Sequence, residues 1–138
     1  ATQNEVTFYN DSLATEPNAT ISAINAFTNR PIILLAGGYE RQQDFQKLAS
    51  VITASSVKAL ILFPTTGQRL GELVSEQLNK NPRSFVLKQV ACMEEAVEFA
   101  KQQSHAGDVV LLSPAAASFG MFKDYQERGE MFTKLIKN

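Results

Sequence analysis

With 138 residues, 44% of them hydrophobic, the chain is long enough to build one globular domain with a substantial core. Thirteen basic residues nearly balance fourteen acidic ones without forming a basic tract, so we expect neither nucleic acid nor a membrane as a partner. One cysteine and one histidine, Cys92 and His105, exclude an internal disulfide and a structural zinc site, and the sequence predicts no other metal site.

The sequence also indicates where the protein works. No apolar run approaches the roughly 18 residues that cross a bilayer, and the N-terminus lacks the basic-then-apolar order of a secretory signal. We therefore expect a cytoplasmic protein. The chain enters an apolar run almost at once and without an initiating Met, which is typical of a domain cut from a larger protein.

Apolar runs alternate along the chain with segments of helical period. The runs predict buried strands at residues 6–9, 31–36, 57–63, 84–90 and 108–112. Apolar residues spaced three and four apart predict helices between them, with stripes formed by Phe45, Leu48, Ala49 and Ile52, by Leu70, Leu73, Val74 and Leu78, and by Met93, Ala96, Val97 and Ala100. Shorter stripes predict two further helices, through Ile21, Ile24 and Phe27 and through Phe132, Leu135 and Ile136.

This β-α order predicts an α/β fold, a Rossmann-like three-layer αβα sandwich with a mostly parallel sheet, formed by a single domain over residues 1–138. In such a sheet, ligands bind outside the carboxyl ends of the strands. Three loops follow strands there: residues 10–15, 37–41 and 113–118. We expect them to lie at the same edge of the sheet.

The first loop combines an amide, a carboxylate and two hydroxyls. Asn10, Asp11 and Ser12 are typical of turns, because such side chains bond their own backbone. In the functional interpretation, Asp11 accepts ribose hydroxyls and Thr15 meets an anion. Pro17 fits the first turn of the next helix, whose free N–H groups would point towards the same edge.

The second loop pairs two glycines with an arginine. Gly37 and Gly38 indicate a backbone bend that needs positive φ. Arg41, four residues after the first glycine, suits a planar carboxylate that its guanidinium can hold by two parallel bonds. Arg41 is also compatible with an ordinary solvated surface arginine.

The third loop has three consecutive alanines after Ser113-Pro114. Small side chains leave the backbone open, so an anion can approach its N–H groups and the Ser118 hydroxyl at a helix start. Tight packing is the alternative reason for the alanines. The residues that follow, Phe119, Met121, Phe122 and Tyr125, favour the core over a substrate wall, although one aromatic side chain could serve as both. These residues predict an anion site of carboxylate or phosphate size, without a nucleophile-base pair or a complete phosphate-binding loop.

At these same loops the sequence resembles a known family. The motifs NDSLAT (10–15), GGYERQQDF (37–45) and SPAAASFGMFKDYQERG (113–129) are similar, in order and spacing, to the C-terminal domain of the Mur ligases. The resemblance covers essentially the whole chain. The first motif is typical of the glutamate-adding branch, since other branches carry a histidine- or asparagine-bearing motif at this loop.

The resemblance implies the glutamate-binding domain of a three-domain ligase of bacterial peptidoglycan synthesis. ATP would phosphorylate the carboxylate of UDP-N-acetylmuramoyl-L-alanine, and the amine of glutamate would attack the acyl phosphate. The resemblance places ATP and Mg²⁺ mainly on the central domain, so no catalytic residue is expected in this chain, which alone should be inactive. The full enzyme would be a monomer.

Site residues follow from the resemblance position by position. Two residues would contact the nucleotide, Asp11 and Ser12. Five would surround the incoming glutamate: Thr15, Arg41, Ser118, Phe119 (through its backbone) and Tyr125.

Four positions depart from the family pattern. Leu13 replaces a usual lysine, Glu16 an asparagine, Arg41 a lysine and Gly120 an aspartate. Arg41 keeps the positive charge, whereas Leu13 neither carries charge nor donates a hydrogen bond. Leu13 and Gly120 therefore leave open a non-catalytic paralogue or binding module. The domain of a folate-type polyglutamate ligase, which shares the glutamate substrate, is a second alternative. The glutamate enantiomer also stays open.

Overall fold

The computed structural model describes residues 1–137, which form six strands and five helices. The strands are β1 (Thr2–Gln3), β2 (Val6–Asn10), β3 (Ile32–Ala36), β4 (Val57–Leu62), β5 (Val86–Gln89) and β6 (Val109–Leu112). The helices are α1 (Pro17–Asn25), α2 (Gln46–Ala54), α3 (Thr66–Lys80), α4 (Met93–Gln103) and α5 (Tyr125–Ile136).

One sheet holds all six strands in the order β1-β2-β6-β3-β4-β5. The five longer strands are parallel to their neighbours, and only β1 pairs antiparallel, with β2. The predicted α/β fold with a mostly parallel sheet is thus confirmed. The order sets β2, β6 and β3 side by side, so the loops that follow these three strands are neighbours.

Each face of the sheet is covered by its own apolar core. Successive residues of a strand point to opposite faces, so Ile32 and Leu34 pack with α1, α2 and α3. Ile33 and Leu35 pack on the other face with α4 and α5. All five residues of β3 are buried, as expected of a central strand in a three-layer sandwich.

The element bounds follow from local chemistry. Pro17 occupies the first position of α1, where a missing N–H group is not needed. The predicted fourth run, 84–90, is shortened to Val86–Gln89 because β5 is the edge strand, and most of its side chains are exposed. Within residues 1–137, no helix is both long and apolar enough to cross a membrane.

Candidate functional site

The first and third loops are joined by hydrogen bonds where β2 and β6 end. Asp11 N–H donates to Leu112 O at 2.7 Å, and Ala115 N–H donates to Ala14 O at 2.9 Å. The buried Ser113 hydroxyl donates to Asp11 Oδ2 at 2.7 Å. Asp11 is half-buried, and its second oxygen, Oδ1, makes no hydrogen bond within residues 1–137. The loops therefore orient this carboxylate and leave one oxygen for a ligand.

The second loop lies against the third because its glycines allow close approach. Gly37 has φ +103°, as predicted, and a Cβ there would lie 2.5 Å from Phe63 O. A Cβ on Gly38 would lie 2.5 Å from Ala117 O. Tyr39 N–H donates to that same oxygen at 2.9 Å. Glycine at position 38 thus lets the second and third loops meet, and glycine at position 37 lets the second loop pass close to Phe63 at the end of β4.

Arg41 lies on this edge and is exposed. Its guanidinium carbon is 5.6 Å from the centroid of the Phe119 ring, a cation–π distance, and Phe119 meets Tyr39 edge-on at 5.7 Å. Arg41 has no ion pair within residues 1–137, where the two salt bridges are Lys58–Asp108 and Arg69–Glu40. A cation held by an aromatic ring and not neutralised by a carboxylate is suited to an anionic ligand.

A network that sequence reasoning missed supports the Arg41 loop from behind. Arg69 Nη2 donates to Glu40 Oε2 at 2.8 Å, and its Nη1 donates to Gln43 O at 2.8 Å. The hydrogen bond to Arg69 holds the pKa of the Glu40 carboxyl below its usual value of 4.5. Gln43 Nε2 in turn donates to Thr15 O at 3.2 Å, which ties the second loop to the first. No sequence signal marks Gln43 or Arg69, since both read as ordinary polar surface residues.

Arg128 is the second feature that the sequence did not reveal. It is 2% exposed and donates three hydrogen bonds, to Ser12 Oγ (2.9 Å), Ser12 O (2.7 Å) and Ala116 O (2.9 Å). Burial lowers the pKa of its guanidinium to about 10, so it remains charged at neutral pH. The motif that carries the resemblance includes this residue, but nothing in the sequence predicts that it is buried.

Ser12 lies inside this arrangement and not on the surface. It is 4% exposed, and besides accepting from Arg128, its hydroxyl donates to Tyr125 O at 2.6 Å. A hydroxyl so engaged has little capacity for a direct nucleotide contact. The geometry favours a supporting role for Ser12, in which it joins the first loop to the start of α5.

The other predicted residues differ in exposure. Thr15 is half-buried, and Ser118 is 5% exposed beside the glycine turn. Ser118 is not at a helix start, because α5 begins only at Tyr125, so that part of the prediction was wrong. Phe119 and Tyr125 are 47% and 39% exposed, which overturns the expectation that both belong to the core. Because both side chains are exposed at the edge of the sheet that carries the three loops, both are available to a ligand.

The three alanines of the third loop pack tightly. Ala115, Ala116 and Ala117 are 0%, 0% and 4% exposed, and the Ala115 N–H is already used by the first loop. This favours the packing interpretation of the alanines over open access of an anion to the backbone. The small residues let the three loops approach one another.

A broad groove of about 750 Å³ runs from the first loop along α5. Leu13, which is 66% exposed, and Tyr125 line its upper end, and Lys134 lines it further along the helix. Leu13 therefore presents an apolar side chain where the family pattern has a cation. Across residues 1–137 no group of three or more His, Cys, Asp or Glu side chains lies close enough to hold a metal ion.

Comparisons with known proteins identify the family of this chain. The family model "Mur ligase, glutamate ligase domain" matches residues 1–116. A UDP-N-acetylmuramoylalanine-D-glutamate ligase of Clostridium tetani is 40% identical over 134 residues, which cover 97% of this chain and 29% of that protein. A protein of the same name from Acetivibrio thermocellus is 38% identical over 137 residues, which cover 98% of this chain and 29% of that protein.

A solved structure gives the same result for the fold. The crystal structure of a murein peptide ligase from Psychrobacter arcticus matches with a TM-score of 0.60 at 11% identity, over 98% of this chain and 28% of that one. This chain thus spans 29% of the length of the two curated relatives above. By its fold, its loop-edge geometry and these matches, the chain belongs to the Mur ligase family, as a glutamate ligase domain.

Proposed function

We propose that this chain is the C-terminal domain of a longer, three-domain ligase that joins D-glutamate to UDP-N-acetylmuramoyl-L-alanine. The names of relatives at 38% and 40% identity support this reaction and the D enantiomer. The carboxylate of the UDP-sugar substrate takes the γ-phosphoryl group of ATP with release of ADP, the neutral glutamate amine attacks the resulting acyl carbon, and inorganic phosphate and the amine proton leave. The amide bond is then complete.

One observation carries the proposal: three loops hydrogen-bonded to one another carry an exposed Arg41 without an ion pair within residues 1–137. Its guanidinium lies over the ring of Phe119, the residue after Ser118, and Gln43 of the same segment donates to Thr15 O. Arg41 would bind one carboxylate of glutamate by two parallel hydrogen bonds. The two hydroxyls would accept or donate at the remaining polar atoms. The exposed faces of Phe119 and Tyr125 would exclude water from the carbon chain.

Asp11 fits the nucleotide side of the site. Its Oδ2 is fixed by Ser113, and its Oδ1 can accept a ribose hydroxyl of ATP. Mg²⁺ would neutralise phosphate charge during the transfer. Because the described residues include no metal-binding cluster, we assign the Mg²⁺ ligands and the phosphate-binding loop to the parts of the enzyme outside this chain.

The test compares the full-length protein with this chain alone. With ATP, UDP-N-acetylmuramoyl-L-alanine and D-glutamate, the full-length protein should release phosphate in a glutamate-dependent way, and the 138-residue chain should release none. Turnover by the chain alone would contradict the division of labour. A full-length protein that is folded but inactive with every amino acid would favour the non-catalytic paralogue, and activity on a folate substrate would favour the polyglutamate ligase.

A further inference from the structure

Arg128 is a buried cation without a buried anion. Its three acceptors, two on Ser12 and one on Ala116, are neutral oxygens, and the ion pairs within residues 1–137 involve other residues. Removing a charge from water without an opposite charge is costly. Hydrogen bonds offset part of that cost, but a neutral side chain would avoid it.

The position of Arg128 in α5 adds to this cost. The residue lies in the first turn of a helix that begins at Tyr125. Positive charge is disfavoured there, because the N-terminal end of a helix already carries a partial positive charge. Asp124 at the N-cap and Glu127 in the first turn offset part of this effect, but neither forms a salt bridge with Arg128.

The contacts of Arg128 lie where the three loops meet. Ser12 belongs to the first loop and Ala116 to the third, while a Cβ on Gly38 of the second would lie 3.5 Å from Arg128 Nη1. The Ser12 hydroxyl also donates a hydrogen bond to Tyr125 O, at the start of α5. One guanidinium thus joins the first loop to the third beside Gly38 of the second, and through Ser12 it is linked to the start of α5.

Arg128 does not itself present a binding surface. The cavity that it lines with Gly38 and Ser118 has a volume of about 10 Å³, close to that of one water molecule and far below that of a carboxylic amino acid. The cavity lies directly behind residues proposed to surround glutamate. Arg128 is therefore placed to act through its neighbours.

We propose that Arg128 is a positioning residue of the amino-acid site: it joins the first and third loops beside the second, and its charge, which has no salt-bridge partner within residues 1–137, favours the incoming carboxylates. This inference rests on the proposed function. The loops supply the contacting groups, and Arg128 supplies their relative placement and a positive field from within the domain. In this low-dielectric surrounding, the field of a buried cation is screened less than that of a surface cation.

The test uses steady-state kinetics of the full-length ligase. Arg128→Gln should raise the KM for D-glutamate about 30-fold or more, while the KM for UDP-N-acetylmuramoyl-L-alanine stays within twofold. Arg128→Lys keeps the charge with fewer hydrogen bonds and should recover most of that loss. A general loss of structure would instead raise the KM values for both D-glutamate and UDP-N-acetylmuramoyl-L-alanine. Alternatively, it would lower the active fraction of enzyme equally in Arg128→Gln and Arg128→Lys.

Arg83, an exposed arginine, provides a control for loss of charge and of hydrogen bonds to backbone carbonyls. It also donates to backbone carbonyls, Thr53 O at 2.9 Å and Ile52 O at 3.1 Å, but it does so near the end of α2, at the opposite edge of the sheet. Arg83→Gln removes the same charge and comparable hydrogen bonds. It should leave the KM for D-glutamate within twofold of the wild-type value.

Ser12→Ala keeps the proposal testable if Arg128→Gln does not fold. This variant removes one acceptor of Arg128 and the bond to Tyr125 O, and should raise the KM for D-glutamate about 5- to 10-fold. An unchanged KM in folded Arg128→Gln or, failing that, in Ser12→Ala would overturn the positioning role. A folded wild-type ligase that turns over no amino acid would contradict the proposed function as well, so the two failures are distinguishable.

Discussion

Alanine at Gly38 is expected to force the second and third loops apart. The added Cβ would lie 2.5 Å from Ala117 O and 3.2 Å from the Ala116 Cβ. A backbone oxygen cannot rotate away as a side chain can, so the loops must separate and the bond from Tyr39 N–H to Ala117 O must lengthen. Overpacking of this kind costs about 1–3 kcal/mol. In a domain of this size, Tm should fall by roughly 3 to 12 °C.

The Gly38→Ala variant should also lose activity in the full-length ligase. Loops that are displaced by a few tenths of an ångström no longer place Arg41 and Ser118 together, so kcat/KM for D-glutamate should fall at least tenfold, about 1.4 kcal/mol. Calorimetry of the 138-residue chain measures the fall in Tm, and initial rates of the full-length ligase measure the fall in kcat/KM.

Gly107→Ala is the control for backbone strain without a clash. Gly107 has φ +95°, and a Cβ there would meet nothing within 4 Å, at a turn before β6 that lies away from the loops. It should lower stability by about 1 kcal/mol and leave the KM for D-glutamate unchanged. A Gly38→Ala variant with wild-type Tm and wild-type KM would refute the reasoning about loop contact.

Two further predictions concern the partners of charged groups. Ser113→Ala removes the donor to Asp11 Oδ2, so the KM for ATP should rise about 5- to 20-fold, with little change for D-glutamate; an unchanged ATP value would contradict the nucleotide role of Asp11. The hydrogen bond to Arg69 lowers the pKa of Glu40 in the folded protein. The carboxylate therefore stabilises the folded state above pH 4.5, and this contribution is lost as the pH falls through the lowered pKa. The Tm difference between wild type and Glu40→Gln, equivalent to at most about 1 kcal/mol for this exposed pair, should be present at pH 7 and shrink as the pH falls below 4.5 through the lowered pKa; a difference that stays constant over that range would contradict the ion pair.

The parallel sheet could be predicted because its central strands are uniform. β3 and β6 are buried on both faces and read as unbroken apolar runs. β1, with only Thr2 and Gln3, carries no apolar signal, so the antiparallel edge was missed. The predicted range of β5, at the opposite edge, was too long. Residues that flank an exposed edge strand can be apolar without belonging to the strand.

The site was predictable at the level of loops and not of side-chain burial. Glycine and proline mark the turns, and β-α order places them at one edge. An arginine between Glu127 and Gly129 reads as solvated, so only the fold reveals that Arg128 is buried. Phe119 reads as core and is exposed, because its place beside Arg41 is set by tertiary contacts rather than by apolar period.

Arg41 offers the most direct test of the claim that this edge receives glutamate. Arg41→Ala in the full-length ligase should raise the KM for D-glutamate and lower kcat/KM roughly 30- to 1000-fold, about 2–4 kcal/mol, because one carboxylate loses its paired cation. Arg41→Lys should recover part of this loss, and the KM for UDP-N-acetylmuramoyl-L-alanine should stay nearly unchanged. A folded Arg41→Ala variant with a wild-type KM for D-glutamate would show that the amino-acid site lies elsewhere.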